Sequence, residues 1–98
     1  MFKIVFNNGS PMELRTFNRN MRKEDDKIIN TLSMSLVDTN YEETLAPLMT
    51  DHSITSYALW DEKDQQIYTK SGLDGHITSV NENMYGDNQL IIEAYASF

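Results

Sequence analysis

Residues 54–60 (ITSYALW), 66–80 (QIYTKSGLDGHITSV) and 89–96 (QLIIEAYA) decide the fold of this chain, because they read as extended segments separated by turn signals. In the first, Tyr57 and Leu59 fall on one side and Ile54, Ala58 and Trp60 on the other, the period of two that a strand imposes on its side chains. Asp61-Glu62-Lys63-Asp64 follows as a hairpin turn. The second segment is expected to run from Gln66 to Thr69, break at Ser71-Gly72 and Asp74-Gly75, and continue from His76 to Val80. Asn81 to Asn88, with Gly86-Asp87-Asn88, is a turn. The closing strand carries Leu90, Ile92 and Ala94 on one face and Ile91 and Tyr95 on the other, so it belongs in the middle of a sheet rather than at its edge.

Working outward, Phe2 to Phe6 alternates as a first strand, Asn7-Asn8-Gly9-Ser10 and Pro11 reverse the chain, and Met12 to Phe17 forms the second. The polar stretch Asn18 to Lys27 reads as a long surface loop. Ile28 to Val37 fits both periodicities, and its Asn30, Thr31, Ser33 and Ser35 favour strand. A short helix is expected from Tyr41, capped by Thr39 or Asn40, with Tyr41, Leu45 and Leu48 on one face and Pro47 ending or kinking it. The expectation is an α+β protein, one domain over residues 1–98, with a small mostly antiparallel sheet or sandwich of five to six strands and one helix near 40–48. Trp60 is the first choice for a core aromatic.

Forty per cent hydrophobic residues, with five Tyr, four Phe and one Trp, are enough to offset the entropy of ordering. The chain has no cysteine, which excludes disulfides and thiolate zinc sites. No leader and no membrane-length apolar run is visible, so a soluble protein is expected. The net charge of −7 is uneven: residues 1–27 carry six basic residues against four acids, a net of +2, and the rest carry two Lys against eleven acids, a net of −9. Direct nucleic-acid binding is not expected of such a surface, since phosphate contacts need clustered Lys and Arg. A basic edge meeting an acidic face of another copy, or an acidic face meeting a basic partner, would suit it.

Catalytic signatures are missing. His52 and His76 lie in no metal-binding spacing, although each has an aspartate near it in sequence, Asp51 and Asp74. There is no Gly-x-Ser-x-Gly, and Gly72-Leu73-Asp74-Gly75 lacks the lysine of a phosphate loop. No cofactor, metal or catalytic residue is expected. Candidate protein-binding residues are the acidic turn Asp61, Glu62 and Asp64, the turn pair Met84 and Tyr85, and the cations Arg19, Arg22 and Lys23.

From Tyr41 onward, the acidic YEETLAPLM segment followed by SITSYALWD, QIYTKSGLDGHITSV and QLIIEAYAS resembles small accessory proteins encoded by phages of Gram-positive bacteria. The resemblance covers about 55 residues and rests on spacing. It implies a non-enzymatic protein acting through protein contacts, as a structural or assembly component of a virion tail and a possible homo-oligomer. The alternative is a host-defence inhibitor, similar to anti-CRISPR proteins, whose acidic face blocks a basic partner. Either would place it in the cytoplasm of the bacterial host or in the virion.

Overall fold

The computed structural model describes residues 1–37 and 40–97. Seven strands, β1 (Phe2–Phe6), β2 (Met12–Glu24), β3 (Lys27–Leu36), β4 (Tyr57–Trp60), β5 (Gln66–Lys70), β6 (Asp74–Glu82) and β7 (Asn88–Ser97), form one antiparallel sheet. Its order is β5-β4-β1-β2-β3-β7-β6. The mostly antiparallel sheet is as expected from the sequence, and its seven strands exceed the expected five to six.

Two readings account for that difference. The stretch 18–27 is not a loop: β2 continues through it to Glu24 and returns as β3 after a two-residue turn at Asp25-Asp26, with Asp25 at φ 56°. Its polarity misleads because the outer face of β2 meets solvent, while the inner face carries Phe17, Arg19 and Met21 opposite Met34, Leu32 and Asn30. The segments 66–69 and 76–80 are not one interrupted strand either. They are β5 and β6, which stand at the two ends of the strand order, separated by Ser71-Gly72-Leu73 with Gly72 at φ +68°.

That short link dictates the shape. Laid flat, seven strands would put β5 and β6 about 29 Å apart, whereas the chain from Lys70 to Asp74 reaches roughly 15 Å at most. The sheet therefore curls until its two edges approach, as an open barrel. Segment 54–56 stitches the seam: Ile54 and Gly75 exchange backbone hydrogen bonds of 2.8 and 3.0 Å, and Leu73 N–H donates to Thr55 C=O at 3.0 Å. Gly75 permits the approach, since a Cβ there would lie 2.7 Å from Ala94 Cβ and 2.9 Å from Glu93 O.

The concave side holds the core. Ile4 and Phe6, Leu14, Leu32, Met34 and Leu36, Tyr57, Ile77, and Leu90, Ile92 and Ala94 meet there. Tyr57, 2% exposed, and Phe6, 5% exposed, are the core aromatics; Trp60, three residues on from Tyr57, belongs to the opposite face and is only half-buried, a correction that strand alternation requires. Burying about ten such side chains at roughly 1.5–3 kcal/mol each is the main stabilising contribution.

Between β3 and β4 the chain winds wide over Tyr41–Leu45 in a π-type turn, then tightens into a 3-10 turn over Ala46–Met49. Asn40 caps it as expected, its Oδ1 accepting the Glu43 N–H at 3.1 Å. Thr39, the other capping candidate, lies outside the described residues. Leu45 is fully buried and Leu48 and Met49 pack beside it, so the segment plugs the barrel against β6. No described helix is long and apolar enough to cross a membrane.

Candidate interaction surfaces

The two hairpin turns, β4–β5 and β6–β7, are built alike. In the first, Asp61 N–H donates to Gln65 C=O at 2.9 Å, and Asp61 Oδ1 accepts the Lys63 and Gln65 N–H groups, both at 2.9 Å. In the second, Asn83 N–H donates to Asp87 C=O at 2.9 Å, and Asn83 Oδ1 accepts the Tyr85 N–H at 2.9 Å and the Asp87 N–H at 3.1 Å. Each has a left-handed residue in its fourth position, Asp64 at φ 58° and Gly86 at φ +85°. A short side chain with an acceptor oxygen at the first position can satisfy two turn amides at once, which is why Asp or Asn stands there.

The second turn has an additional anchor. Asp87 is almost fully buried and accepts a hydrogen bond of 2.6 Å from Arg15 Nε on β2. The tip is thereby fixed at both ends, and it presents Met84 and Tyr85, 88% and 81% exposed, to solvent. At the matching positions of the first turn stand Glu62 and Lys63.

A groove of about 410 Å³ lies on the outer wall of β1, β4 and β5. Cross-strand rows Lys3/Trp60/Gln66 and Val5/Ala58/Thr69 run along this wall. Val5, Ala58, Trp60 and Pro11 supply its apolar lining, with Lys3, Asn8, Asp64 and Gln66 around them. Lys3 Nζ and Asp64 Oδ1 form an ion pair of 3.1 Å at its edge. Trp60 lines the groove with its indole, whose N–H is buried and unpaired among the described residues. The β1–β2 loop is held in place by Asn7, whose Oδ1 accepts the Thr55 N–H at 2.8 Å and whose Nδ2 donates to Ser53 C=O at 2.8 Å.

The residues singled out from the sequence thus fall in three places. Asp61, Glu62 and Asp64 form the β4–β5 turn, with Asp61 occupied by backbone amides and Asp64 bordering the groove. Met84 and Tyr85 form the other tip. The cations lie along β2: Arg22 is 3.7 Å from Glu24, Lys23 is its neighbour toward the β2–β3 turn, and Arg19 turns inward. Arg19 hydrogen-bonds the Tyr68 hydroxyl and lies 5.2 Å from the centroid of that ring, beside the Phe17–Tyr57–Tyr68 cluster. Burial pushes the Tyr57 phenol above its ordinary pKa, and the Arg19 guanidinium acts against that. Arg19 therefore ties β2 to β5 across the barrel. The Trp60 groove was not apparent in the sequence because it is made by β1 pairing with β4, residues more than fifty apart.

The histidines pair crosswise with the two aspartates. His52 Nδ1 is 2.5 Å from Asp74 Oδ1, and His76 Nε2 is 3.7 Å from Asp51 Oδ1. The His52–Asp74 contact has the form of an imidazole oriented by a carboxylate, but the His52 side chain is 78% exposed and stands in open solvent. Among the described residues no cluster of three or more His, Asp or Glu could hold a metal ion.

Compared with protein-family models, curated proteins and solved structures, the chain gives no significant match.

Proposed function

We propose that this protein acts without catalysis, through protein–protein contacts made by the β6–β7 tip, as a structural or assembly component of the kind found in phage tails. One observation carries the reading. The fold needs Asn83, Gly86 and Asp87 to build the turn, but it does not need Met84 and Tyr85, because the equivalent positions of the β4–β5 turn hold Glu62 and Lys63. Because Asn83, Asp87 and Arg15 hold the turn beneath them, docking of these two large apolar side chains orders little backbone, and the Tyr85 ring adds contact area at low entropic cost.

Size-exclusion chromatography with light scattering tests this. A ring or higher oligomer of the purified protein is the expected result. A monomer that binds a partner and loses it in the Asp61→Asn/Glu62→Gln/Asp64→Asn variant would replace it with the inhibitor reading. Turnover of nucleotides, nucleic acid or peptides at enzyme-like rates would sink the non-catalytic reading altogether.

A further inference from the structure

We infer that the Met84–Tyr85 tip of one copy seats in the Trp60 groove of the next copy. This rests on the assembly reading above and adds the mate. The tip presents the two most exposed large hydrophobic side chains among the described residues. The groove, about 410 Å³, lies within the range of roughly 300–1,000 Å³ typical of ligand pockets, and so has room for an aromatic side chain with its neighbour. Its chemistry matches as well. Val5, Pro11, Ala58 and Trp60 give an apolar bed for the Met84 thioether and the Tyr85 ring, and Asp64 with Gln66 puts acceptors within the same groove for the phenol hydroxyl. An apolar centre with a polar border is the usual anatomy of a contact hot spot.

Tip and groove share no residue, one being the end of the β6–β7 hairpin and the other the outer wall of β1, β4 and β5. The contact can therefore repeat head to tail, each copy keeping an unused tip on one side and an unused groove on the other. Such an interface closes into a ring or grows into a filament; two copies that exchange tips reciprocally stop at a two-fold dimer.

The chain reports on its own groove, since Trp60 is its single tryptophan. Wild-type protein is expected to grow in mass with concentration while Trp60 emission shifts to shorter wavelength. The tip variant Met84→Ser/Tyr85→Ser and the groove variant Ala58→Arg are each expected to be monomeric. Mixed together they are expected to give a 1:1 dimer and nothing larger, because one complete tip and one complete groove remain. Gln66→Arg, at an exposed edge position, serves where Ala58→Arg fails to fold. Assembly that survives the folded groove variant, assembly with no change in Trp60 emission, or a mixture that stays monomeric would each overturn the tip-in-groove pairing. If the tip variant alone abolishes assembly, the assembly reading stands with a different mate. A wild-type protein that stays monomeric at every concentration removes both.

Discussion

Gly75 occupies the tightest point of the barrel seam, where backbone bonds to Ile54 bring it against Ala94. A methyl group there meets Ala94 Cβ and the Glu93 carbonyl, neither of which is a flexible side-chain end. Gly75→Ala is expected to cost about 1–3 kcal/mol in urea unfolding, and Ala94→Gly in the same chain to recover part of it. Arg15 matters for the opposite reason: it covers a buried carboxylate, Asp87. Since Arg15 is half exposed, truncating it opens the Asp87 carboxylate to water, and Arg15→Ala is expected to cost about 1–3 kcal/mol rather than the full penalty of a broken buried ion pair. The His52 imidazole beside Asp74 is held above its ordinary pKa, chiefly by its hydrogen bond to that carboxylate and then by the charge itself, with Asp51 adding to it. The contact therefore stabilises the fold fully below about pH 6.5, and the contribution is lost as pH rises through the raised value. His52→Gln should thus unfold more easily than wild type near pH 5.5, with the gap closing by pH 8.5; a gap that widened with pH would contradict the assignment. Much at this scale is visible in the sequence. The capping Asn40 and the Asp61 and Gly86 turn positions follow from residue type, whereas the crossed His–Asp pairs depend on a seam that no local pattern encodes.

At the scale of elements, the long β2–β3 hairpin shows where periodicity loses its force. Residues 18–24 are polar on the outer face and carry Arg19 and Met21 on the inner, so hydrophobic alternation fades exactly where the strand outruns the core. Nine consecutive register pairs with β3, from Thr16 to Glu24, hold it, supplied by backbone bonding that side-chain chemistry does not announce. β7 was plain from its sequence because Leu90, Ile92 and Ala94 alternate with the half-exposed Ile91 and Tyr95, and it does lie between β3 and β6. The division of 66–80 into β5 and β6 was hidden, since a glycine in a strand pattern signals a bulge as readily as a change of direction. The β6–β7 tip carries its own expectation. Met84→Ser/Tyr85→Ser removes side chains that touch solvent, so unfolding free energy should change by no more than about 0.5 kcal/mol. A loss of several times that amount would mean the pair serves the fold and not a contact.

For the whole molecule, the charge asymmetry of the sequence has a different meaning once folded. Lys3 pairs with Asp64, Arg15 with Asp87 and Arg22 with Glu24, Arg19 is bound to Tyr68, and Lys27 lies 5.9 Å from the centre of the Tyr95 ring. Three of the six basic residues of the first 27 positions are thus ion-paired within the chain, which weakens a basic edge, while Arg19 and Lys27 keep their charge against neutral tyrosine rings. Contacts between copies would then depend on apolar surface. Raising salt from ~0.05 to ~0.5 M, which shortens electrostatic reach to a few ångströms, is expected to leave the assembled mass unchanged; dissociation in salt would return the contact to charge. Everything proposed for the molecule turns on whether the exposed Met84–Tyr85 tip is a contact surface. Light scattering on a dilution series of wild type beside Met84→Ser/Tyr85→Ser tests it most directly: a concentration-dependent oligomer in the wild type and a monomer of unchanged fold in the variant is the expected result, and equal masses for the two proteins at every concentration would contradict it.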